Sequence, residues 1–244
     1  MEISVVYEDE NIVAINKPAG LLVHATARSG TERTVADFIQ ERYPALRDVG
    51  EPMKLSASIV LLRPGIVHRL DRETSGIMLI AKNQKSFLFF KKQFQERAVK
   101  KTYYAIVHGL PKEKSGRIDL PIGRSARDGR KRSASKMSRG KIRDAVTDYR
   151  TIAKSGELSF LEVYPRTGRT HQIRVHLQAI GHPILCDSLY ATKRPCPKKL
   201  GRLALHSFAI ELETQDGKAL RLEAPLPPEM YSFAEENFGI LRNL

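Results

Sequence analysis

HRLDRETSGIMLIAK, residues 68–82, sets a single carboxylate, Asp71, between Arg69 and Arg72 and then runs into five apolar residues. A continuous apolar run of that length, bounded by Ser75-Gly76 and Lys82, predicts a strand covered on both faces. Asp71 therefore sits in the loop leading into a core strand. Taken alone, Arg-Leu-Asp-Arg is an ordinary surface motif, and exposed pairs of this kind contribute roughly 0–1 kcal/mol. A loop held by a rigid strand is also where catalytic groups tend to stand. An arginine within ~4–6 Å would keep Asp71 ionised and acceptor-only. That suits a nucleophile or an electrostatic stabiliser and not a general acid.

Outward from this strand, short elements alternate without a regular βαβ pattern. SVVYEDENIVAINKPAG predicts two strands around an acidic turn, Glu8 to Asn11. Thr31 to Tyr43 has helical spacing, with Val35, Phe38, Ile39 and Tyr43 on one side and Pro44 as its stop. Residues 45–65 form an irregular connection. Asn83 is placed to cap a helix reaching about Glu96, with Phe87, Phe90 and Phe94 as its core stripe. KKTYYAIVHG (100–109) is a strand, followed by strands near 145–153 and 158–164. RTGRTHQIRVHLQAIG switches to helical spacing, with Ile173, Leu177 and Ile180 on one face. LALHSFAIEL and KALRLEAP are strands, and a helix from about Pro228 to Phe238 closes the chain. The fold class is α+β, with a mixed, largely antiparallel sheet and flanking helices.

The chain has 244 residues and a formal charge of +14. That balance points to a polyanion partner. Nine of the basic residues fall between Gly123 and Arg143, with Asp128 as the one acid. Without apolar periodicity, this stretch is expected to be a mobile basic loop and not a membrane-binding helix. Lys193 to Arg202 forms a second basic cluster. No run is long and apolar enough to span a bilayer, so no membrane partner is expected. The acidic N-terminus lacks the features of a secretory signal. Two cysteines, Cys186 and Cys196, make neither a disulfide framework nor a four-ligand zinc site. The expectation is a cytoplasmic protein in a reducing environment. His171 and His176 are five apart, about 140° around a helix, which is poor for joint ligation, so no metal is expected. His68 and His206 are expected to be hydrogen-bonded structural residues.

HRLDRETSG (68–76), KKTYYAIVHG (100–109) and PRTGRTHQIRVHLQAIGHPILCDSLY (165–190) resemble the three motif regions of the RluA-type (RluA/RluD-like) RNA pseudouridine synthases. IVAINKPAGLLVH (12–24) and LALHS (203–207) are similar to that family's N-terminal region and C-terminal strand. The resemblance runs from about residue 5 to 228. It implies a pseudouridine synthase catalytic fold with an RNA-binding cleft, and an isomerase that breaks the N1–C1′ bond of a uridine in RNA and joins C5 to C1′, without cofactor. Asp71 would be the catalytic aspartate; whether it attacks C1′, attacks the base or removes the 2′ proton stays open. Tyr103 would stack on the uracil and take the C5 proton. Arg174 would pin the Asp71 carboxylate. Arg69 would fill the place of the flipped base, since a stacked base cannot be reached in situ. Arg72 would contact phosphate, and Leu205 would wall the uracil.

Many relatives carry a small N-terminal RNA-binding domain of the S4 type. Here KPAG begins at Lys17, so residues 1–244 are expected to form one catalytic domain. RNA grip is then assigned to the 123–143 loop, with Arg130, Lys131 and Arg132 as candidates. Residues 53–64 look like an insertion whose SIVLL section would pack over the site or mediate a contact. Ribosomal RNA is the expected substrate, transfer RNA the next, and a monomer the expected state. Two other readings compete. A non-catalytic RNA-binding protein of the same fold would have lost Asp71, Tyr103 or Arg174, and all three are present. A nucleic-acid glycosylase would release free base.

Overall fold

A computed structural model describes residues 2–25, 32–54, 60–61, 63–134 and 138–239. The elements run β1 (Ser4–Glu8), β2 (Ile12–Lys17), α1 (Val35–Arg42), β3 (Met53–Lys54), β4 (Val60–Leu61), β5 (Ser75–Ala81), α2 (Gln84–Glu96) and β6 (Lys100–His108). They continue with β7 (Ser115–Asp119), β8 (Ile122–Ser125), β9 (Arg132–Ser133), β10 (Ser138–Arg143), β11 (Val146–Ser155) and β12 (Leu158–Pro165). The last are α3 (Gln172–Ala179), β13 (Leu205–Glu213), β14 (Ala219–Glu223) and α4 (Pro228–Phe238). The chain packs as two compact units, Met1–Lys100 with Ala209–Pro225, and Lys101–Phe208 with Leu226–Leu244.

In the first unit β5 is buried at every position, which is why its sequence is apolar without alternation. It pairs antiparallel with β2, and β2 pairs antiparallel with β1. β14 pairs antiparallel with the Ala209–Glu213 part of β13. Ile12, Ala14, Ile77 and Leu79 pack on Phe90 of α2. Asn83 caps α2 by accepting from the Ser86 backbone N–H at 2.9 Å. α1 begins at Val35, later than the spacing predicted, because Thr34 and Asp37 form a reciprocal capping box there. Gly65 has φ +63°, and a Cβ there would lie 2.2 Å from the Ala81 carbonyl oxygen. Only glycine lets this segment run against β5 on its way to Asp71. The SIVLL section lies mostly outside the described residues.

In the second unit, β6, β12, β11 and β7 lie in that order, each pair antiparallel. Tyr104, Phe160, Leu161, Ile173 and Leu177 form its core together with Met230 and Phe233 of α4. Tyr104 lies in this core against Phe160 and Phe208, and half-buried Tyr103, next to it on β6, packs against the same core. The basic segment, expected to be a mobile loop, is instead a small sheet in the order β10-β8-β9. Its sequence hides this because β10 is exposed along nearly its whole length and carries one apolar residue, Ile142, so no apolar alternation marks it. The two cysteines, expected to stand in a reducing environment, are instead joined as a Cys186–Cys196 disulfide, which that expectation does not foresee. Among the described residues no helix is long and apolar enough to cross a membrane.

Candidate active site and nucleic-acid interface

The loop that carries Asp71 is fixed from several sides. Leu70 before it and Thr74 and Ser75 after it are buried. His68 accepts the Leu79 N–H through Nε2 at 2.8 Å and stacks on Phe94, with ring centroids 4.4 Å apart. It is a structural histidine, as its sequence context suggests. Lys17 is 0% exposed and donates to the carbonyls of Pro18, Leu21 and Arg72. A buried ammonium with three acceptors is satisfied, and here it ties the KPAG turn to the Asp71 loop. Gly20 and Arg72 complete the tie, with Gly20 N–H donating to the Arg72 carbonyl at 2.8 Å and Arg72 Nε to the Gly20 carbonyl at 3.0 Å.

Asp71 itself is half-buried, and its carbonyl accepts the Thr74 N–H. Within its own unit its carboxylate makes no hydrogen bond or ion pair among the described residues. The flanking arginines look elsewhere. Arg72 reaches Gly20, Glu32 and Glu73. Arg69 is exposed, and its Nη1 lies 3.4 Å from Nε2 of His24. The two guanidinium groups that seemed to bracket Asp71 are each taken by other partners, Arg69 by His24 and Arg72 by Gly20 and Glu32. Burial, with the charges of Arg69 and Arg63, pushes His24 down to about 4. His24 is therefore neutral near pH 7, accepts from Arg69 through Nε2 and carries its proton on Nδ1, which has no partner.

In the second unit Arg174 is 3% exposed and makes a two-pronged bond to Asp187, Nε to Oδ2 and Nη2 to Oδ1, both at 2.7 Å. Asp187 also accepts the backbone N–H groups of Leu189 and Tyr190. The guanidinium lies 5.2 Å from the centre of the Tyr190 ring. The Tyr190 hydroxyl meets Nδ1 of His171 at 2.9 Å and accepts the Arg132 N–H at 2.8 Å. Gln172 spends its amide on four partners: Thr167 Oγ1, the Arg169 N–H, the Val146 carbonyl and Thr147 Oγ1. His176 is enclosed between Thr147 Oγ1 and the Leu120 carbonyl, and burial lowers its pKa. These contacts occupy both histidines that suggested a metal. Leu205 is buried in the core beside Ile173 and Leu203.

The three RNA-contact candidates of the hairpin have different surroundings. Arg130 is bound in two places to Asp128, whose carboxyl is held down at about 2 by that guanidinium and by the Arg130 N–H. Lys131 closes the turn through its backbone. Arg132 lines a cavity of about 250 Å³ with Arg124, Lys141, Arg143 and Arg169.

Residues 11–179 match the profile of the RNA pseudouridylate synthase family. A ribosomal large subunit pseudouridine synthase D of Borreliella burgdorferi is 36% identical over 231 residues, covering 95% of this chain and 67% of that protein. The chain belongs to the RNA pseudouridylate synthase family. An RNA pseudouridine synthase of Synechocystis sp. is 37% identical, covering 92% of this chain and 66% of its own length. Human RNA pseudouridylate synthase domain containing 1 superposes with a TM-score of 0.73 at 26% identity, covering 94% of this chain and 86% of that one. The chain thus spans about two thirds of the length of these curated relatives.

Within this member of the family, the residues that sequence reasoning passed over are those that hold the motif residues in place. Lys17, Asp187, Tyr190 and Gln172 all lie in quoted motif stretches, yet their type gave no hint of burial. A lysine before Pro-Ala-Gly looks like a solvated end of a strand. Asp187 beside a cysteine looks like a turn. The usable signal was the residue class at the other end: a buried arginine requires a buried acid, and the quoted stretch contains Asp187 thirteen residues on.

Proposed function

We propose that this chain isomerises uridine to pseudouridine within structured RNA, with Asp71 as the catalytic carboxylate. Asp71, Tyr103 and Arg174 serve one flipped uridine. The N1–C1′ bond breaks, the uracil turns in the site, C5 bonds to C1′, and the C5 hydrogen leaves to solvent, so the base is conserved. A carboxylate can attack a carbon or stabilise an oxocarbenium-like centre, which is what the first step needs. Tyr103, half-buried on β6, serves as the stacking surface and late proton acceptor. Arg174, expected to pin Asp71, is held by Asp187 in a two-pronged bond, and brings a fixed, oriented positive charge. Arg69 is exposed and, among the described residues, meets a neutral histidine, which suits a side chain that enters the space a flipped base vacates.

The observation that carries this reading is the Asp71 loop. Its backbone is held at Arg72 by Lys17 and Gly20, the His68 side chain anchors its start to Leu79, and its carboxylate is left unengaged by the described residues of its unit. A structural aspartate would be bonded there. Ribosomal RNA is the first substrate proposed, because the Borreliella burgdorferi relative is named for the large ribosomal subunit; transfer RNA is second. The setting proposed is the cytoplasm, and the working state a monomer.

Asp71→Asn decides the matter. The expected result is no pseudouridine in RNA that the unaltered protein modifies, with RNA affinity within a few-fold, since phosphate contacts dominate binding. Pseudouridine formed by the purified variant would overturn the assignment. Free uracil from the unaltered protein would replace the isomerase with a glycosylase.

A further inference from the structure

Six described arginines of the second unit pair with acids, among them Arg130 with Asp128 and Arg174 with Asp187. Arg117 and Arg166 share Asp148, Arg150 meets Glu162, and Arg202 meets Glu229. The 250 Å³ cavity is different. Arg124 of β8, Arg132 of β9, Lys141 and Arg143 of β10, and Arg169 in the turn before α3 all line it, and no carboxylate does. The side chains of Arg124, Arg132, Lys141 and Arg143 make no hydrogen bond or ion pair among the described residues.

Convergence of like charges on one concavity raises the energy of the empty state, and an anion entering it is bound correspondingly well. Several features show that the cations are held together rather than adrift. The Arg132 N–H is fixed by the Tyr190 hydroxyl, and Arg169 donates through Nε to the Asp144 carbonyl at 3.0 Å. Gly123 lets β8 approach β10, where a Cβ would lie 2.9 Å from Cβ of Ser138. Residues 168–170 lead into the N-terminal end of α3, where the helix dipole is positive, and Thr170 adds a hydroxyl. The volume also decides. At about 250 Å³ the space suits one or two phosphate groups and falls below the roughly 300–1,000 Å³ of pockets for organic ligands.

We propose that this cavity is a phosphate seat, in which Arg124, Arg132, Lys141, Arg143 and Arg169 bind phosphate oxyanions. On the proposed RNA activity, on which only the source of the phosphate rests, the occupant is one internucleotide phosphate of the substrate. The seat refines the hairpin's role: Arg132 belongs to it, and Arg130, engaged by Asp128, stands outside.

The test uses the full chain, inorganic pyrophosphate as probe and a labelled single-stranded oligoribonucleotide. The variants are Lys141→Gln with Arg143→Gln, the charge-keeping Lys141→Arg with Arg143→Lys, and Lys92→Gln on α2 as a control cation. The double glutamine variant is expected to weaken pyrophosphate binding by about tenfold or more. The charge-keeping pair and the control should bind as the unaltered protein does. In the oligoribonucleotide titration, the slope of log affinity against log salt should fall by about 0.7 for each phosphate that the variant no longer neutralises. No pyrophosphate binding by the unaltered protein, or equal binding by the double glutamine variant, overturns the seat. Pyrophosphate binding with an unchanged RNA salt slope overturns the internucleotide phosphate as its occupant. Pseudouridine formation is scored separately. Its absence would remove the isomerase and leave the seat to be judged by the pyrophosphate titration.

Discussion

Arg174 and Arg143 carry the same guanidinium and do opposite work. Arg174 is sealed from water, locked to Asp187 by two hydrogen bonds and laid against Tyr190. Arg143 is exposed and lines a cavity with four other cations and no acid. The first arrangement gives up freedom for direction, since a buried pair is weak evidence of net stability but holds geometry tightly. The second keeps its charge for something not part of the chain. Thus one arginine is aimed by the protein and the others await an anion, and substitutions at the two should separate stability from affinity.

The largest expected effect is Asp187→Ala. It leaves the Arg174 charge buried without its partner and should cost about 3–5 kcal/mol of stability, with loss of pseudouridine formation. Urea unfolding read against Arg143→Gln sharpens the contrast, because the exposed substitution should stay within about 0.5 kcal/mol. Equal unfolding midpoints for the two variants would erase the distinction.

Next in size is a pH effect. His24, His108 and His176 all have folded pKa values below the ordinary histidine value, chiefly through burial. Below pH 6.5 the unfolded chain takes up protons that the folded chain refuses. Stability is therefore full above pH 6.5 and falls as the pH drops toward the folded values. For His24 that window runs from 6.5 to about 4, and His24 alone is worth up to about 3 kcal/mol across it. Urea midpoints at pH 7, 5.5 and 4.5 measure this, and His24→Gln should flatten the dependence. A flat profile for the unaltered protein would contradict the neutral, buried assignment.

Tyr190→Phe tests the one side chain common to both settings. Its hydroxyl joins His171 and the Arg132 N–H, so its removal should cost about 1 kcal/mol and weaken RNA binding modestly. The smallest effect separates neighbours on the hairpin. Arg130→Gln should weaken RNA binding less than Arg132→Gln, because Asp128 already holds Arg130. An anisotropy titration at fixed salt with the reverse order would show that the Asp128 pair opens for RNA.

Much of this architecture was readable where burial leaves a period. IMLIA announced β5, the asparagine at 83 announced α2, and Tyr104 was assigned to the core by strand alternation from Tyr103. The family motifs gave Asp71, Tyr103 and Arg174. What stayed hidden was pairing at a distance. Nothing local in Arg69-Leu-Asp-Arg72 shows that both arginines turn away from Asp71, because their partners, His24 and Gly20, lie some fifty residues earlier. The basic hairpin was hidden for another reason: strands with no buried face carry no apolar signal. The cysteine pair was a matter of counting, since two residues make one bridge even when they make no framework.

His171 stands just ahead of α3 with φ +57°, in the left-handed region where a side chain is disfavoured by roughly 1–2 kcal/mol. Its ring is what meets Tyr190. Glycine there would ease the backbone and at the same stroke release the tyrosine, so a sturdier chain would be a looser one. Selection for heat resistance alone would drift toward that exchange, and an engineer ranking variants by melting temperature would be led away from the working enzyme at this position.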